Sequence, residues 1–278
     1  MYLTDRRGAL RAGAAVAFTG ALTTACGTDP RPAPSRPPDP SRSSDSSRPS
    51  GPTGPPGPSE AAPPRRSAAA APAPRRFPGH PAEIESGPRD RPRVALTFHG
   101  QGDPAVARAL LTEAEKTGAR ITVLAVGDWL DRNPGLARRV LDGGHDLGNH
   151  TQRHLDINTM TERRAYDEIR ACAERLRRLT GSIGTWFRPS RTRHATPAVQ
   201  RAARRAGYPH VLSYDVDSLD FTSPGASAVV AQVTGQIRNG SVVSLHFGYA
   251  DTVAALPPLL ADLDRRGLRA VTTTELLT

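Results

Sequence analysis

Val94-Ala95-Leu96-Thr97-Phe98 is a short apolar run, closed by His99-Gly100-Gln101-Gly102-Asp103 and followed by Val106, Leu110, Leu111 and Ala114 at helical spacing up to Gly118. An apolar run of this length, bounded by glycines and feeding an amphipathic segment, reads as a buried strand followed by a crossover helix. The pattern recurs downstream. Ile121-Thr122-Val123-Leu124-Ala125-Val126 reads as a second buried strand, and 133–142 as a helix closed by Gly143-Gly144. The strongest helix is about 161–179, where Ala165, Ile169, Cys172, Leu176 and Leu179 form one apolar face. On that face Cys172 is expected to be a packed core thiol. Strand-like runs at 211–214, 242–245 and 268–271 alternate with helical segments near 196–206, 226–238 and 256–266. Strand and helix alternate throughout with connections long enough for crossovers, which predicts a parallel α/β layout, either an open sheet or a barrel. In a β/α barrel the working residues lie at the carboxyl ends of the strands. His99, Asp215, Asp217 and His246 all follow such runs.

Outward from this region the composition changes. Residues 27–90 hold 18 of the 27 prolines, and their only large apolar side chains are Phe77 and Ile84. Such a stretch buries too little surface to offset its chain entropy, so 27–90 is expected to be a disordered, Pro-rich tether and 91–278 the folded domain. In residues 1–26, Arg6-Arg7 and Arg11 precede a charge-free stretch with a short apolar core, the pattern of an export signal. Asp5-Arg6-Arg7-Gly8-Ala9-Leu10-Arg11 resembles a twin-arginine motif, and Leu22-Thr23-Thr24-Ala25-Cys26-Gly27 resembles a bacterial lipobox with Cys26 as the lipidated residue. The expectation is an exported protein, either lipid-anchored on the outer face of the cell membrane or secreted. Membrane contact is then expected only through the lipid.

Two widely separated Cys exclude a disulfide scaffold and a cysteine zinc cluster. The net charge of +10 falls to +6 over 91–278, where both signs are interspersed. With no groove-reading or base-stacking motif, nucleic acid is not an expected partner. No Gly-rich phosphate loop or Gly-x-Ser-x-Gly elbow occurs, which argues against kinase and serine-hydrolase chemistry.

His150 and His154 form a His-x-x-x-His pair in Gly148-Asn149-His150-Thr151-Gln152-Arg153-His154. Four-residue spacing on a helical turn would let two imidazoles share one metal ion. The pair is not a zincin motif, because Thr151 stands where that motif needs Glu.

Taken together, the segments resemble the polysaccharide deacetylase family (carbohydrate esterase family four). Gly144-His145-Asp146-Leu147-Gly148-Asn149-His150-Thr151-Gln152-Arg153-His154 is similar to its second motif. Phe187-Arg188-Pro189 is similar to the third, Tyr214-Asp215-Val216-Asp217-Ser218-Leu219-Asp220-Phe221 to the fourth, and Ser244-Leu245-His246 to the fifth. The order and spacing hold over essentially all of 91–278. The resemblance implies a distorted (β/α) barrel with fewer than eight strands and metal-dependent removal of acetyl groups from N-acetylated glycans. It implies His150 and His154 as metal ligands, His246 as general acid, and Asp217 as the acidic residue that orients His246. Phe221 stands at the position of an aromatic residue that lines the sugar cleft. His145 falls at a structural position, and His194 and His210 have no motif context.

The first motif departs from the pattern. The family reads Thr-Phe-Asp-Asp-Gly where this chain has Thr97-Phe98-His99-Gly100-Gln101, so the base and the third metal ligand fall on His99 and Gly100. Arg188 loses the carboxylate it would pair with and is expected to contact substrate, an anion or Asp103. A neutral imidazole is a competent base near pH 7, so His99 can inherit that role. Asp103 would then complete a His150–His154–Asp103 metal site. Alternatively His99 ligates and Asp103 is the base; the sequence leaves both open. The substrate wall also differs, since Ser190 replaces a second Pro and no Tyr or Phe follows it.

The expected function is a metal-dependent deacetylase-like hydrolase acting on an N-acetylated envelope glycan such as peptidoglycan. Zinc is the expected ion, with cobalt or nickel open. A catalytically inactive glycan-binding protein on the same barrel is the alternative, and hydrolysis of a non-sugar amide a third reading.

Overall fold

The computed structural model describes residues 71–278. The expected export signal, Cys26 and the tether up to residue 70 lie outside the described residues. Among those described, the chain forms β1 (Glu83–Ile84), β2 (Arg93–Gly100), α1 (Pro104–Lys116), β3 (Thr122–Ala125), α2 (Gly127–Arg132), α3 (Pro134–Asp142) and β4 (Asp146–Asn149). There follow α4 (Glu162–Thr180), α5 (Pro197–Arg205), β5 (Val211–Leu212), β6 (Val216–Asp217), α6 (Ala226–Thr234), β7 (Val242–His246), α7 (Ala250–Arg265), β8 (Arg269–Ala270) and α8 (Thr273–Leu276).

β2 is the centre of the sheet. It pairs in parallel with β3 on one side and β7 on the other, giving the order β4-β3-β2-β7-β6, with β8 joined to the start of β2. Phe187 bridges Asn149 at the end of β4 to Val211 in β5, and β1 pairs with β5. The result is a distorted β/α barrel in which several strands are only two residues long. That is fewer than eight full strands, as the resemblance implied.

The two faces of β2 alternate, as the period of a strand requires. Val94, Leu96 and Phe98 point outward into a core shared with Leu110 and Leu111 of α1 and Leu256 and Leu259 of α7. Ala95, from the opposite face, joins Leu124, Leu212 and Val242 in a second cluster that fills the barrel floor. Thr97 and His99, two and four residues on, continue that inward row up toward the carboxyl ends of the strands. β7 repeats the arrangement, with Val243 and Leu245 outward, and Val242, Ser244 and His246 on the other face.

β4 escaped the apolar-run reading because its sequence, Asp-Leu-Gly-Asn, is polar. Its polar ends are buried and satisfied: Asp146 accepts from Trp186 Nε1 at 3.3 Å and the Thr274 amide at 3.0 Å, and Asn149 Nδ2 donates to the Ile169 carbonyl at 2.8 Å. α7 starts at Ala250, earlier than expected, and runs through Pro257 and Pro258. Both prolines lie on its exposed side, where water can solvate the carbonyls they leave unbonded. Cys172 is fully buried in α4, and burial pushes its thiol up to about 12, consistent with a packed core thiol.

The tether was expected to reach residue 90, and that boundary is too late. Residues 71–90 lie against the barrel floor: Phe77 stacks on Trp186 with ring centroids 5.3 Å apart and planes 11° apart, and Ile84 is fully buried. The Phe77 amide donates to His210 Nε2 at 3.0 Å, while His210 Nδ1 lies 2.7 Å from the Pro81 carbonyl. A carbonyl only accepts, so His210 is protonated at Nδ1 and pins both ends of the turn. Two apolar side chains suffice here because they fill a floor whose other walls already exist. Truncating Phe77 to Ala should therefore lower the unfolding free energy by about 3 kcal/mol, read as a lower urea midpoint for the full chain. An unchanged midpoint would mean that the segment is not part of the cooperative unit.

Candidate active site

Four imidazoles meet at the carboxyl ends of β2, β4 and β7. His99 ends the inward row of β2, and His150 directly follows β4. The His99 ring centroid lies 4.3 Å from that of His150 and 4.3 Å from that of His246; His150 and His154 are 4.9 Å apart. His99, His150 and His154 each offer one ligand atom within 4.8 Å of the others.

The local chain path that presents His150 and His154 is not a helical turn. Thr151 and His154 both occupy the left-handed region, with φ of 67° and 55°. Asn149 Oδ1 accepts from the Thr151 amide at 2.8 Å, and Thr151 Oγ1 accepts from the His154 amide at 3.2 Å and donates to Ser190 Oγ at 3.1 Å. These bonds hold an unfavourable backbone in place, a condition that concentrates at functional sites.

His150 carries the test of whether the donor set fits a metal. Its Nδ1 lies 3.0 Å from the Arg188 carbonyl, which fixes the proton on Nδ1 and leaves a lone pair on Nε2. That Nε2 is buried and has no hydrogen-bond partner among the described residues. A buried bare lone pair is costly unless something accepts it. Burial lowers His99 and His150 well below the usual imidazole range, and burial with the charges of Arg191 and His246 takes His154 to about 4. All three rings are thus neutral at pH 7, the form that ligates a metal. The three imidazoles fit a divalent ion.

Asp103, one of the two expected third ligands, is not part of this group. It is exposed and caps α1, its Oδ1 accepting from the Ala105 amide at 2.7 Å with Pro104 in the first helical position. Asp followed by Pro at the start of an apolar-periodic segment is an N-cap signature, and that signal was present in the sequence. Gly100 cannot supply a carboxylate in its place. β2 stays extended through it, and a Cβ there would meet Val123 Cγ1 and the Ala125 Cα at 3.0 Å, on the face away from the imidazoles.

His246 is held by Asp220 and not by Asp217, which corrects the second expectation. Asp220 is fully buried; its Oδ1 lies 2.7 Å from His246 Nδ1, and its Oδ2 accepts from the His246 amide at 2.8 Å and Thr252 Oγ1 at 2.7 Å. Leu219, at φ 55°, turns the chain after β6 into a short 3-10 turn at Asp220–Thr222, which swings Asp220 beneath the ring. Asp217 instead accepts from the Leu219 amide at 3.1 Å and lies 3.4 Å from the Tyr214 hydroxyl. Asp217 and Asp220 are three residues apart in one motif, and only the turn between them decides which reaches His246.

Arg188 is fully buried and meets no carboxylate among the described residues, nor Asp103. Its Nε donates to the Leu212 carbonyl at 3.2 Å, Nη2 to the Ser213 carbonyl at 2.9 Å and Nη1 to Thr97 Oγ1 at 2.8 Å; Nη1 is 3.4 Å from His99 Nε2. Burial draws it down to about 10, so it remains charged at neutral pH. His99 Nε2 also lies 3.2 Å from Ser244 Oγ. Above these groups opens a cleft of about 370 Å³ lined by His99, His154, Arg191, Asp217 and His246. Phe221 stands at its edge, 45% exposed, its ring centroid 5.5 Å from that of His246. His145 is buried away from the cleft, its Nδ1 accepting from the Ile121 amide at 3.2 Å, and His194 is exposed near Glu83.

Residues 86–211 match the family model described as polysaccharide deacetylase. A peptidoglycan-N-acetylglucosamine deacetylase of Bacillus cereus is 33% identical over 202 residues, which span 68% of this chain and 90% of that protein. The chain belongs to the polysaccharide deacetylase family. A solved peptidoglycan N-acetylglucosamine deacetylase, in complex with a naphthalenyl N-oxidanyl-benzamide, superposes with a TM-score of 0.66 at 25% identity, covering 70% of this chain and 92% of the other. A pseudoenzyme of carbohydrate esterase family four from Bacillus anthracis shares the fold, with a TM-score of 0.68 at 23% identity over 72% of this chain and 70% of that one.

This polysaccharide deacetylase family member should bind about one divalent ion per chain, measured by elemental analysis of the purified protein. His99→Ala or His150→Ala should empty the site. Asp103→Ala should keep the ion and cost about 1 kcal/mol of stability through the lost cap. Loss of the ion in Asp103→Ala would overturn the three-imidazole assignment.

Proposed function

We propose that this protein is a metal-dependent deacetylase acting on N-acetyl groups of a cell-envelope glycan, peptidoglycan being the leading candidate. The observation that carries this reading is the bare, buried Nε2 of His150 facing two further imidazoles, beside a His246–Asp220 pair at one cleft. Relatives named for peptidoglycan N-acetylglucosamine support the substrate class. Export, with or without a lipid on Cys26, belongs to the same proposal and agrees with an envelope substrate.

His99, His150 and His154 would hold the ion, with zinc the first choice for an all-imidazole set. A bound divalent ion supplies Lewis acidity toward the acetyl carbonyl. The chain's own side chains supply the proton transfers. Asp220 accepts from His246 Nδ1 and supports the doubly protonated imidazolium, whose Nε2 proton passes to the departing sugar nitrogen and leaves the ring neutral. Asp217 is the one carboxylate lining the cleft among the described residues, and we assign to it the proton taken from water. Phe221 offers an exposed ring face for the sugar. Arg188 lies too deep to touch a sugar; it braces the ligand loop through its backbone carbonyl.

The loss of carboxylates at positions 99 and 100 favours a second reading, a glycan-binding protein without turnover. The two separate cleanly in one assay. Metal-loaded protein should release acetate from N-acetylated peptidoglycan or chitooligosaccharides, and His246→Ala should lower kcat by roughly 10²–10⁴-fold while retaining the ion. Asp220→Asn should lower kcat by on the order of 10²-fold with little change in KM, because it removes orientation and not binding. Oligosaccharide binding with no acetate from any N-acetylated glycan would establish the second reading instead.

A further inference from the structure

Residues 83–89 lie in the stretch whose composition reads as tether, yet they hold part of the cleft. β1 runs along β5, with Glu83 opposite Val211 and Ile84 opposite Leu212, and the Ser213 amide donates to the Ile84 carbonyl at 2.8 Å. Side chains of this segment then reach two parts of the site. Arg89 pairs with Asp215 of the fourth motif at 2.9 Å. Glu83 and Glu85 meet the loop 190–196, whose Arg191, Thr192 and Arg193 line the cleft; Arg193 Nη2 lies 3.5 Å from Glu85 Oε2.

Glu83 makes the closest of the contacts to that loop. Its side chain is 14% exposed, and His194 Nδ1 lies 3.4 Å from its Oε1. Both oxygens accept from the Ala195 amide, Oε1 at 3.1 Å and Oε2 at 3.3 Å, and Oε2 also accepts from Gln200 Nε2 of α5 at 3.1 Å. Ala195 is buried and directly precedes Thr196, the N-cap of α5. An amide just ahead of a helix has no partner within it. Among the described residues only Glu83 accepts from this one. Glu83 thereby fixes the end of the loop. Asn158 fixes its middle, Nδ2 donating to Thr192 Oγ1 at 3.0 Å and to the His194 carbonyl at 2.9 Å. Arg191 stands just before these anchors at φ 58°, a backbone state that persists only while its surroundings enforce it.

We propose that Glu83 is a positioning residue for the reaction: it holds the 191–195 loop in the shape that receives the glycan, so that the cleft is complete only while β1 is docked on β5. This rests on the deacetylase reading and adds to it a dependence on a segment outside the sequence motifs. Glu83 touches no reacting atom and acts through Ala195. Removing its carboxylate leaves a buried amide without an acceptor, and opening the loop toward water relieves both that cost and the strain at Arg191. His99, His150 and His154 make no hydrogen bond to Glu83, so metal binding should not change.

The test compares the full, metal-loaded chain with its Glu83→Ala and Glu83→Gln variants in two measurements. One is hydrogen exchange read by mass spectrometry. The other is acetate release from N-acetylated peptidoglycan fragments and chitooligosaccharides. In Glu83→Ala the amides of 190–196 should exchange on the order of tenfold faster, while those of 97–99 and 149–151 keep their rates. KM should rise on the order of tenfold with kcat changed by less than about twofold, at unchanged metal content. Glu83→Gln keeps an acceptor oxygen for the Ala195 amide and should restore most of both. A residue that only stabilises the fold would lower the urea midpoint and leave KM unchanged. That result would overturn the proposal, as would unchanged exchange in the loop. If the unaltered chain releases no acetate, the deacetylase reading fails by itself, and the dissociation constant for the same saccharides takes the place of KM. Weaker saccharide binding in Glu83→Ala would then support the positioning role, and equal binding would overturn it. An unaltered chain that neither binds nor deacetylates these saccharides would overturn both.

Discussion

A single buried guanidinium ties this barrel together. Arg188 follows the Phe187 bridge between β4 and β5; its side chain reaches the Leu212 and Ser213 carbonyls at the end of β5 and Thr97 of β2, while its own amide donates to the Asn149 carbonyl at 3.0 Å and its carbonyl fixes the tautomer of His150. A charged group withdrawn from water must have its donors satisfied, and the only acceptors in reach are carbonyls, a hydroxyl and an imidazole nitrogen. Meeting that requirement brings β2, β4 and β5 to fixed positions at the mouth of the barrel. The rings of His99 and His150 inherit their placement from it.

The chemistry follows from how each imidazole is constrained. His150 has one nitrogen spent on a backbone carbonyl and the other left bare. His246 has one nitrogen spent on Asp220, and no second bond among the described residues competes for the other. Two histidines at the same cleft are thereby given different tasks by their hydrogen-bond partners, one suited to a metal and the other to proton transfer. The departures at His99 and Gly100 are also structural facts. The first puts a third imidazole where the strand's inward row ends, and the second keeps β2 flat against Ala125.

Much of the fold could be read directly. The apolar runs of β2, β3 and β7 and the apolar face of α4 carry their periodicity in plain view, and crossover connections leave few arrangements for parallel strands. The polar β4 did not announce itself, because its stability comes from buried side-chain hydrogen bonds that composition does not display. Phe77 and Ile84 looked too sparse to fold, yet they complete a floor built by residues far away in sequence. Composition measures how much apolar surface a segment has, not whether a partner surface awaits it.

At the site, the histidines at 99, 150, 154 and 246, the arginine at 188 and the loss of the paired carboxylates were legible in the order of residues. Motif order and spacing are local properties, and they placed these residues near strand ends. Which groups meet was decided only by tertiary structure. Asp103 was close in sequence to His99 but was claimed by the amide at the start of α1. Asp217 and Asp220 compete for His246, and a left-handed residue between them settled the choice. Such outcomes depend on backbone direction over one or two residues and on hydrogen-bond donors from distant segments, and neither is written in the order of side chains along the chain.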